Sequence, residues 1–185
     1  MRNLFGQVDG TVNPSPGTEE FERVVWSADG WLAGGTSPVI RRIRMHLDTW
    51  DELDRPGREQ SVGRTLATGA PLTGGAETDE PDLDAKSPGG LPVIPEFAHV
   101  RRARGPERIY RRSYNYDLPP TAGVSESGMI FTSYQADASA QFVPIQRRVD
   151  ELDLLNHWTT PIGSVVFAIA PGCAAGGHLG EGLLA

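Results

Sequence analysis

GMIFTSYQADASAQFVPIQRRVDELD, residues 128–153, changes its period halfway along. Met129–Tyr134 is aromatic and β-branched and reads as a strand, whereas Phe142, Ile145 and Val149 recur at helical spacing and give an amphipathic helix over Ala138–Leu152. Working outward, the turn-rich Leu118–Gly128 separates this strand from another at Ile109–Tyr116. Val39–Leu47 is a third strand, with Val39, Ile40, Ile43 and Met45 among interleaved arginines. Asp48 or Thr49 can cap a helix beginning at Trp50, and a second helical piece runs over Glu59–Arg64. Ser164–Ala170, closed by Pro171-Gly172, is the last strand. From Val39 onward the order is β-α-β-β-α-β, the ferredoxin-like α+β arrangement of a four-stranded antiparallel sheet with helices on one face. Phe21–Trp26 adds an expected strand ahead of it, and residues 67–96 form a long loop rich in Gly, Pro, Asp and Thr, of the kind that is either functional or mobile.

A chain of 185 residues, 38% hydrophobic and 22% charged, is expected to form one globular domain over 1–185 with a real core. A net charge of -7 leaves no strongly basic face, which argues against a nucleic-acid partner. The arginines nonetheless cluster at Arg41-Arg42-x-Arg44, Arg101-Arg102-x-Arg104 and Arg111-Arg112. Clusters of this kind in an acidic protein suit a buried anionic ligand such as a carboxylated cofactor, and equally suit solvated strand and loop faces. Cys173 is the single cysteine, so neither an intrachain disulfide nor a cysteine-based metal cluster is available. No apolar run reaches membrane-spanning length, and a membrane is not expected as a partner.

Two stretches carry candidate chemistry. Near the start, Asn3-Leu4-Phe5-Gly6-Gln7-Val8-Asp9-Gly10-Thr11-Val12-Asn13-Pro14 holds a carboxylate between two glycines, a backbone suited to passing close to something bulky; Asp-Gly is also a common turn dipeptide. The other is Phe97-Ala98-His99-Val100-Arg101-Arg102, where His99 leaves the long loop. Of the four histidines, His46 falls in a strand alternation, His157 beside Trp158 reads as partly buried and satisfied, and His178 lies in a Gly-rich tail, so His99 is the candidate ligand.

Taken together, NLFGQVDGTVNP, FAHVRRA, RIYRRSYNYD and GMIFTSYQADASAQFVPIQRRVDELD resemble, in this order, the C-terminal part of the dye-decolorizing (DyP-type) haem peroxidases. RRSYNYD is most similar to the branch that includes exported, iron-uptake-associated members. The resemblance implies one half of a two-domain dimeric α+β barrel, with haem b (iron protoporphyrin IX) in the half represented here and the N-terminal companion domain absent. A functional turn so close to Met1 gives the matching expectation of a truncated or split polypeptide.

Position by position, the family pattern implies that Asp9 is the distal carboxylate and Arg111 the distal arginine. It implies His99 as the iron ligand and Asp137 as the acceptor of the histidine's N–H, a job that competes with the plain reading of Asp137 as a helix N-cap. Gly10, Thr11 and Val12 would lie against the porphyrin, and Arg44 and Arg64 would meet its propionates. The chemistry implied is reduction of hydrogen peroxide, with one-electron oxidation of dyes or phenols as small-molecule reductants. Trp50, Trp158, Tyr114, Tyr116 and Tyr134 are candidate relays to donors too bulky for a buried site, or core residues. Two further readings stand beside this: a deferrochelatase-like protein that handles haem or iron, and an inactive half-molecule whose uncovered sheet associates with a separate N-terminal half or with a second copy.

Overall fold

Strand β1 (Val39–Met45) runs through the middle of the sheet, between β4 (Val124–Tyr134) and β5 (Thr159–Val166), antiparallel to both. The structure, a computed structural model, describes residues 2–121 and 124–183. The far edge of β4 is covered by two short strands in succession, β2 (Tyr110–Arg111) and β3 (Tyr114–Thr121). The expected strand Ile109–Tyr116 is therefore broken at Arg112-Ser113, and the spatial order matches the ferredoxin-like arrangement with β2 and β3 sharing one place.

The described residues include five short α-helices: α1 (Glu19–Val25), α2 (Leu47–Asp51), α3 (Arg55–Val62), α4 (His99–Arg102) and α5 (Val143–Leu152). The expected strand at Phe21–Trp26 is instead α1. Thr18 caps it by accepting from the Phe21 N–H at 3.2 Å, and Glu19, Glu20 and Glu22 complement the helix dipole in the first turn. Those local terms outweigh the strand preference of Phe-x-x-Val-Val-Trp, and the helix still buries Val24 and Val25. Asp54 caps α3 through the Gly57 N–H at 2.8 Å, so this helix begins four residues earlier than Glu59. Its end is set by Gly63 at φ +90°, where a Cβ would come within 2.3 Å of Val100; only glycine satisfies both demands. The helix expected over Ala138–Leu152 is a π-helical turn, Ala138–Phe142, running into α5. The last strand begins earlier than the apolar run suggests, and Val165, Val166, Phe167 and Ile169 on and just beyond it are exposed.

The long loop is held by arginines. Arg64 donates to the carbonyls of Gly69, Glu77 and Asp79, Arg101 donates to those of Leu83 and Ile94, and Arg104 pairs with Glu80. Much of the arginine clustering is thus structural, the reading that competed with an anionic ligand. At the base of the fold Phe5, Met45, Trp50 and Val62 form a buried cluster with Leu155 and Trp158 against it. Among the described residues no helix is long and apolar enough to cross a membrane.

Candidate active site

Alternation along β1 gives its two faces different work. Arg41, Ile43 and Met45 point to one side, where with Met129 and Phe131 of β4 they form the floor of a cavity of about 520 Å³. The helices supply the opposite wall: Phe142 from the π-turn, Ile145 and Val149 from α5, and His99, Val100 and Ala103 from α4 and its end. The helical spacing of Phe142, Ile145 and Val149 seen in the sequence is the spacing that lines this wall. The N-terminal segment closes a third side with Gln7, Asp9, Thr11, Val12 and Asn13.

Arg42 and Arg44 point the other way and share Glu126, the second at 2.6 Å. This corrects the expectation for Arg44: the phase that carries Ile43 and Met45 into the cavity turns Arg44 out of it, onto a cleft on the other face of the sheet. Arg41 takes the inward place and bonds the Gln146 carboxamide, and burial holds its guanidinium below the ordinary arginine value. Arg64 does line the cavity, but three of its hydrogen bonds go to loop carbonyls. Burial lowers its pKa as well. Arg104, from the Arg101-Arg102-x-Arg104 cluster, and Arg108, which the sequence did not single out, add to the basic lining.

His99 opens α4, directly after the fully buried Ala98. Its Nδ1 lies 2.5 Å from Oδ2 of Asp153, whose side chain is wholly buried. Asp153 ends α5 and caps the turn that follows, accepting the Leu155 N–H on Oδ1 at 2.9 Å. One backbone bond and one side-chain bond hold the pair in register: Leu154 N–H to the Phe97 carbonyl at 3.0 Å, and Arg102 Nε to the Arg148 carbonyl at 2.9 Å. Depth in the fold disfavours a charged ring, but the Asp153 carboxylate more than offsets it, and the His99 pKa stands above the ordinary histidine value. With Nδ1–H donated to Asp153, Nε2 is the nitrogen left for a ligand.

Asp137, expected to be that acceptor, is not. Its Oδ1 accepts from the N–H groups of Ser139 and Ala140 at 2.7 and 3.1 Å, so it is the N-cap of the π-turn, the competing reading of the sequence. The carboxylate that serves His99 lies sixteen residues further on, at the other end of the same helical stretch. One signal for it was present: an Asp at a helix C-terminus sits against the dipole and calls for a local reason.

On the opposite side, Asp9 Oδ1 accepts the Gly10 N–H at 2.8 Å and lies 3.3 Å from Nε of Arg111, leaving Oδ2 open. Arg111 Nε is buried without an aligned hydrogen bond among the described residues. Gly10 makes the turn at φ +80° and does not itself line the cavity, whereas Thr11 and Val12 do. Asn13 joins the two halves of this side: its Nδ2 donates to the Arg111 carbonyl at 2.6 Å, and its Oδ1 accepts the Arg111 N–H at 3.1 Å. Sequence reading assigned Asn13 no role of its own. His157, expected to be partly buried, is exposed.

A mostly apolar cavity with an oriented imidazole on one wall and a carboxylate beside a guanidinium on another is a site of the kind that holds a largely apolar cofactor. Comparison with known proteins agrees: the family described as Dyp-type peroxidase, C-terminal, matches residues 1–174, and the chain belongs to this family. It is 42% identical over 196 residues to the dye-decolorizing peroxidase of Thermobifida fusca (strain YX), covering 99% of this chain and 45% of that protein. It is 35% identical over 197 residues to the deferrochelatase of Yersinia pestis, covering 98% and 44%. Among solved structures, the DyP-type peroxidase from Cellulomonas bogoriensis superposes with a TM-score of 0.94 at 55% identity, over 100% of this chain and 52% of that one. Ferric DtpA from Streptomyces lividans gives 0.92 at 40% identity, over 99% and 52%. The chain thus spans about half the length of the relatives it matches.

Proposed function

We propose that this chain is the haem-binding half of a peroxidase that reduces hydrogen peroxide and oxidises dye or phenolic donors in one-electron steps. The observation that carries the reading is the His99–Asp153 pair at 2.5 Å, which leaves Nε2 as the metal-binding nitrogen at the wall of an apolar cavity. The lining suits haem b: Val12, Ile43, Phe131 and Ile145 offer apolar contact to a macrocycle, and Arg41, Arg64, Arg104 and Arg108 offer cations to its propionates. When bound, haem supplies the iron at which the O–O bond is broken and the capacity to hold two oxidising equivalents. Asp153 orients the imidazole and makes it a more basic ligand. Asp9, through its open Oδ2, takes a proton from one peroxide oxygen and returns it to the other. Arg111 keeps its proton and stabilises negative charge on the departing oxygen.

A second reading, haem or iron handling, is favoured by the relatives named deferrochelatase that align along nearly the whole chain. Loading with haem followed by peroxide separates the two. A peroxidase gives a rapid spectral change in bound haem and an oxidised donor; an iron-removing protein gives metal-free porphyrin. His99→Ala is expected to abolish the histidine-ligated spectrum, and its retention sinks the assignment of the ligand. We propose further that the exposed apolar residues at and after β5, Val165, Val166, Phe167 and Ile169, are covered by an N-terminal companion domain or by a second copy of the chain.

A further inference from the structure

Residues 67–96 form no helix and no extended strand, yet arginines fasten them along their whole length. At the start, Arg2 donates to the Gly6 carbonyl at 2.6 Å and to those of Leu66 and Ala67 at 3.0 and 3.2 Å, tying the loop to the turn that carries Asp9. Arg64 then holds the carbonyls of Gly69, Glu77 and Asp79 at 2.8, 2.7 and 3.2 Å, and Arg104 pairs with Glu80. Arg101, two residues from His99, holds those of Leu83 and Ile94. Arg64 and Arg104 also line the inner cavity, which residues 67–96 do not. The loop therefore bears on the cavity through these two guanidiniums.

Arg64 is buried, and its partners in the loop are neutral carbonyls. Burial disfavours its charge, as do the nearby guanidiniums of Arg104 and Arg111, while Glu80 and Glu77 support it. A guanidinium carries five N–H donors, and three bonds of Arg64 go to the loop, so donors remain for a second partner. A carboxylate in the cavity would supply the full negative charge that carbonyls lack. We propose that residues 67–96 are a strap coupled to an anionic cofactor: carboxylates held in the inner cavity by Arg64 and Arg104 fasten the loop, and without them it opens. The proposal rests on the haem-binding part of the reading above, in which these arginines meet propionates. The coupling is reciprocal, because the loop that aims the two arginines at an anion is in turn held by an anion that fixes them.

The chain offers its own probe. Lys86 is its only lysine and is exposed in the strap, where it pairs with Pro92 and the Ser87 N–H donates to the Leu91 carbonyl at 2.8 Å. Cutting after Lys86 requires this hairpin to open and the flanking anchors at Glu80 and Leu83 to let go, so a lysine-specific protease reports the open population. In the full chain, haem is expected to slow the cut at least about fivefold. Haem dimethyl ester, which keeps the iron and the macrocycle but not the propionate charges, should leave it near the rate without cofactor. Glu80→Gln removes the Arg104 anchor from outside the cavity, at an exposed position. At saturating haem it should keep the histidine-ligated spectrum and be cut several-fold faster than the parent. Haem bound with that spectrum but giving no protection, equal protection by haem and its ester, or a parent-like cut in haem-loaded Glu80→Gln overturns the strap alone. Failure of the parent to bind haem overturns the haem-binding reading and the strap with it.

Discussion

On one side of the inner cavity His99 and Asp153 sit at the ends of two helices tied together by one backbone bond and one arginine side-chain bond; on the other, Asp9 and Arg111 hang on an N-terminal turn and a two-residue strand. Asp153 is wholly buried with both oxygens engaged, whereas Asp9 keeps 29% of its side-chain surface and an open Oδ2. The contrast follows from what each side must do. A ligand to a bound metal gains from being fixed, because any freedom of the ring is lost on binding. A carboxylate that takes up and returns a proton has to reach two positions and admit a small substrate. Rigidity is therefore concentrated where the cofactor would be held, and access where peroxide would be handled.

If that division is right, substitutions on the open side should stop chemistry and spare cofactor binding. Asp9→Asn is expected to slow the reaction of the haem-loaded protein with peroxide by roughly 10²–10⁴-fold. Arg111→Leu should slow it by roughly 10²–10³-fold. Both should hold haem with parent affinity in a titration followed by absorbance, and loss of haem in either would dissolve the distinction. Asp153→Asn tests the closed side. The Leu155 N–H fixes the amide oxygen at the Oδ1 position, so the new NH₂ faces His99 Nδ1 and donates to it. The ring answers by moving its own proton to Nε2, the nitrogen a metal needs. Haem affinity is expected to fall by roughly 10–100-fold, with a smaller change in the peroxide rate of whatever haem remains bound.

Sequence reading named one member of the pair on the closed side and most of the residues that line the open side, and the reason lies in distance along the chain. Asp9, Gly10, Thr11 and Val12 form one local turn whose composition reports its geometry. Asp153 meets His99 across 54 positions, and only the packing of α5 on α4 brings them together. Asp137 was attractive because it opens the helical stretch, yet its Oδ1 caps the π-turn at an exposed position and Asp153 is the carboxylate that meets His99. Arg44 could have been set aside from β1 alone, since Ile43 and Met45 fix the inward phase and Arg41 shares it. The β-α-β-β-α-β order was legible because each element announces itself locally. Helix α1 was not, because a capping threonine and three glutamates decided against what its aromatic and β-branched residues suggest. Asn13 was invisible as a clamp, since its partner is the backbone of a residue 98 positions away.

Asn13→Ala sharpens the comparison further by loosening only the open side. It removes two hydrogen bonds to the Arg111 backbone, worth about 1 kcal/mol each in net stability. The peroxide reaction should slow several-fold as Asp9 and Arg111 drift apart, while haem affinity holds. A parent-like peroxide rate would show that the Asp9–Arg111 contact does not depend on this tie.

The smallest expected effect concerns pH, and it asks whether the rim of the cavity adds to stability as its helical wall does. Glu107 lies on the cavity lining and accepts from Arg148 of α5 at 2.7 Å, a bond that holds its carboxyl below the ordinary value of 4.5. A carboxylate with a depressed folded-state pKa stabilises the fold at every pH above its unfolded value. That contribution fades as pH falls from about 4.5 through the lower folded value. Glu107→Gln removes it throughout. The parent protein should therefore have the higher thermal midpoint at neutral pH, and the two curves should converge in acid below the carboxylate range. A difference that persists unchanged at the acid end would mean that Glu107 contributes by packing beside Gly105 and Arg148, and not by its charge.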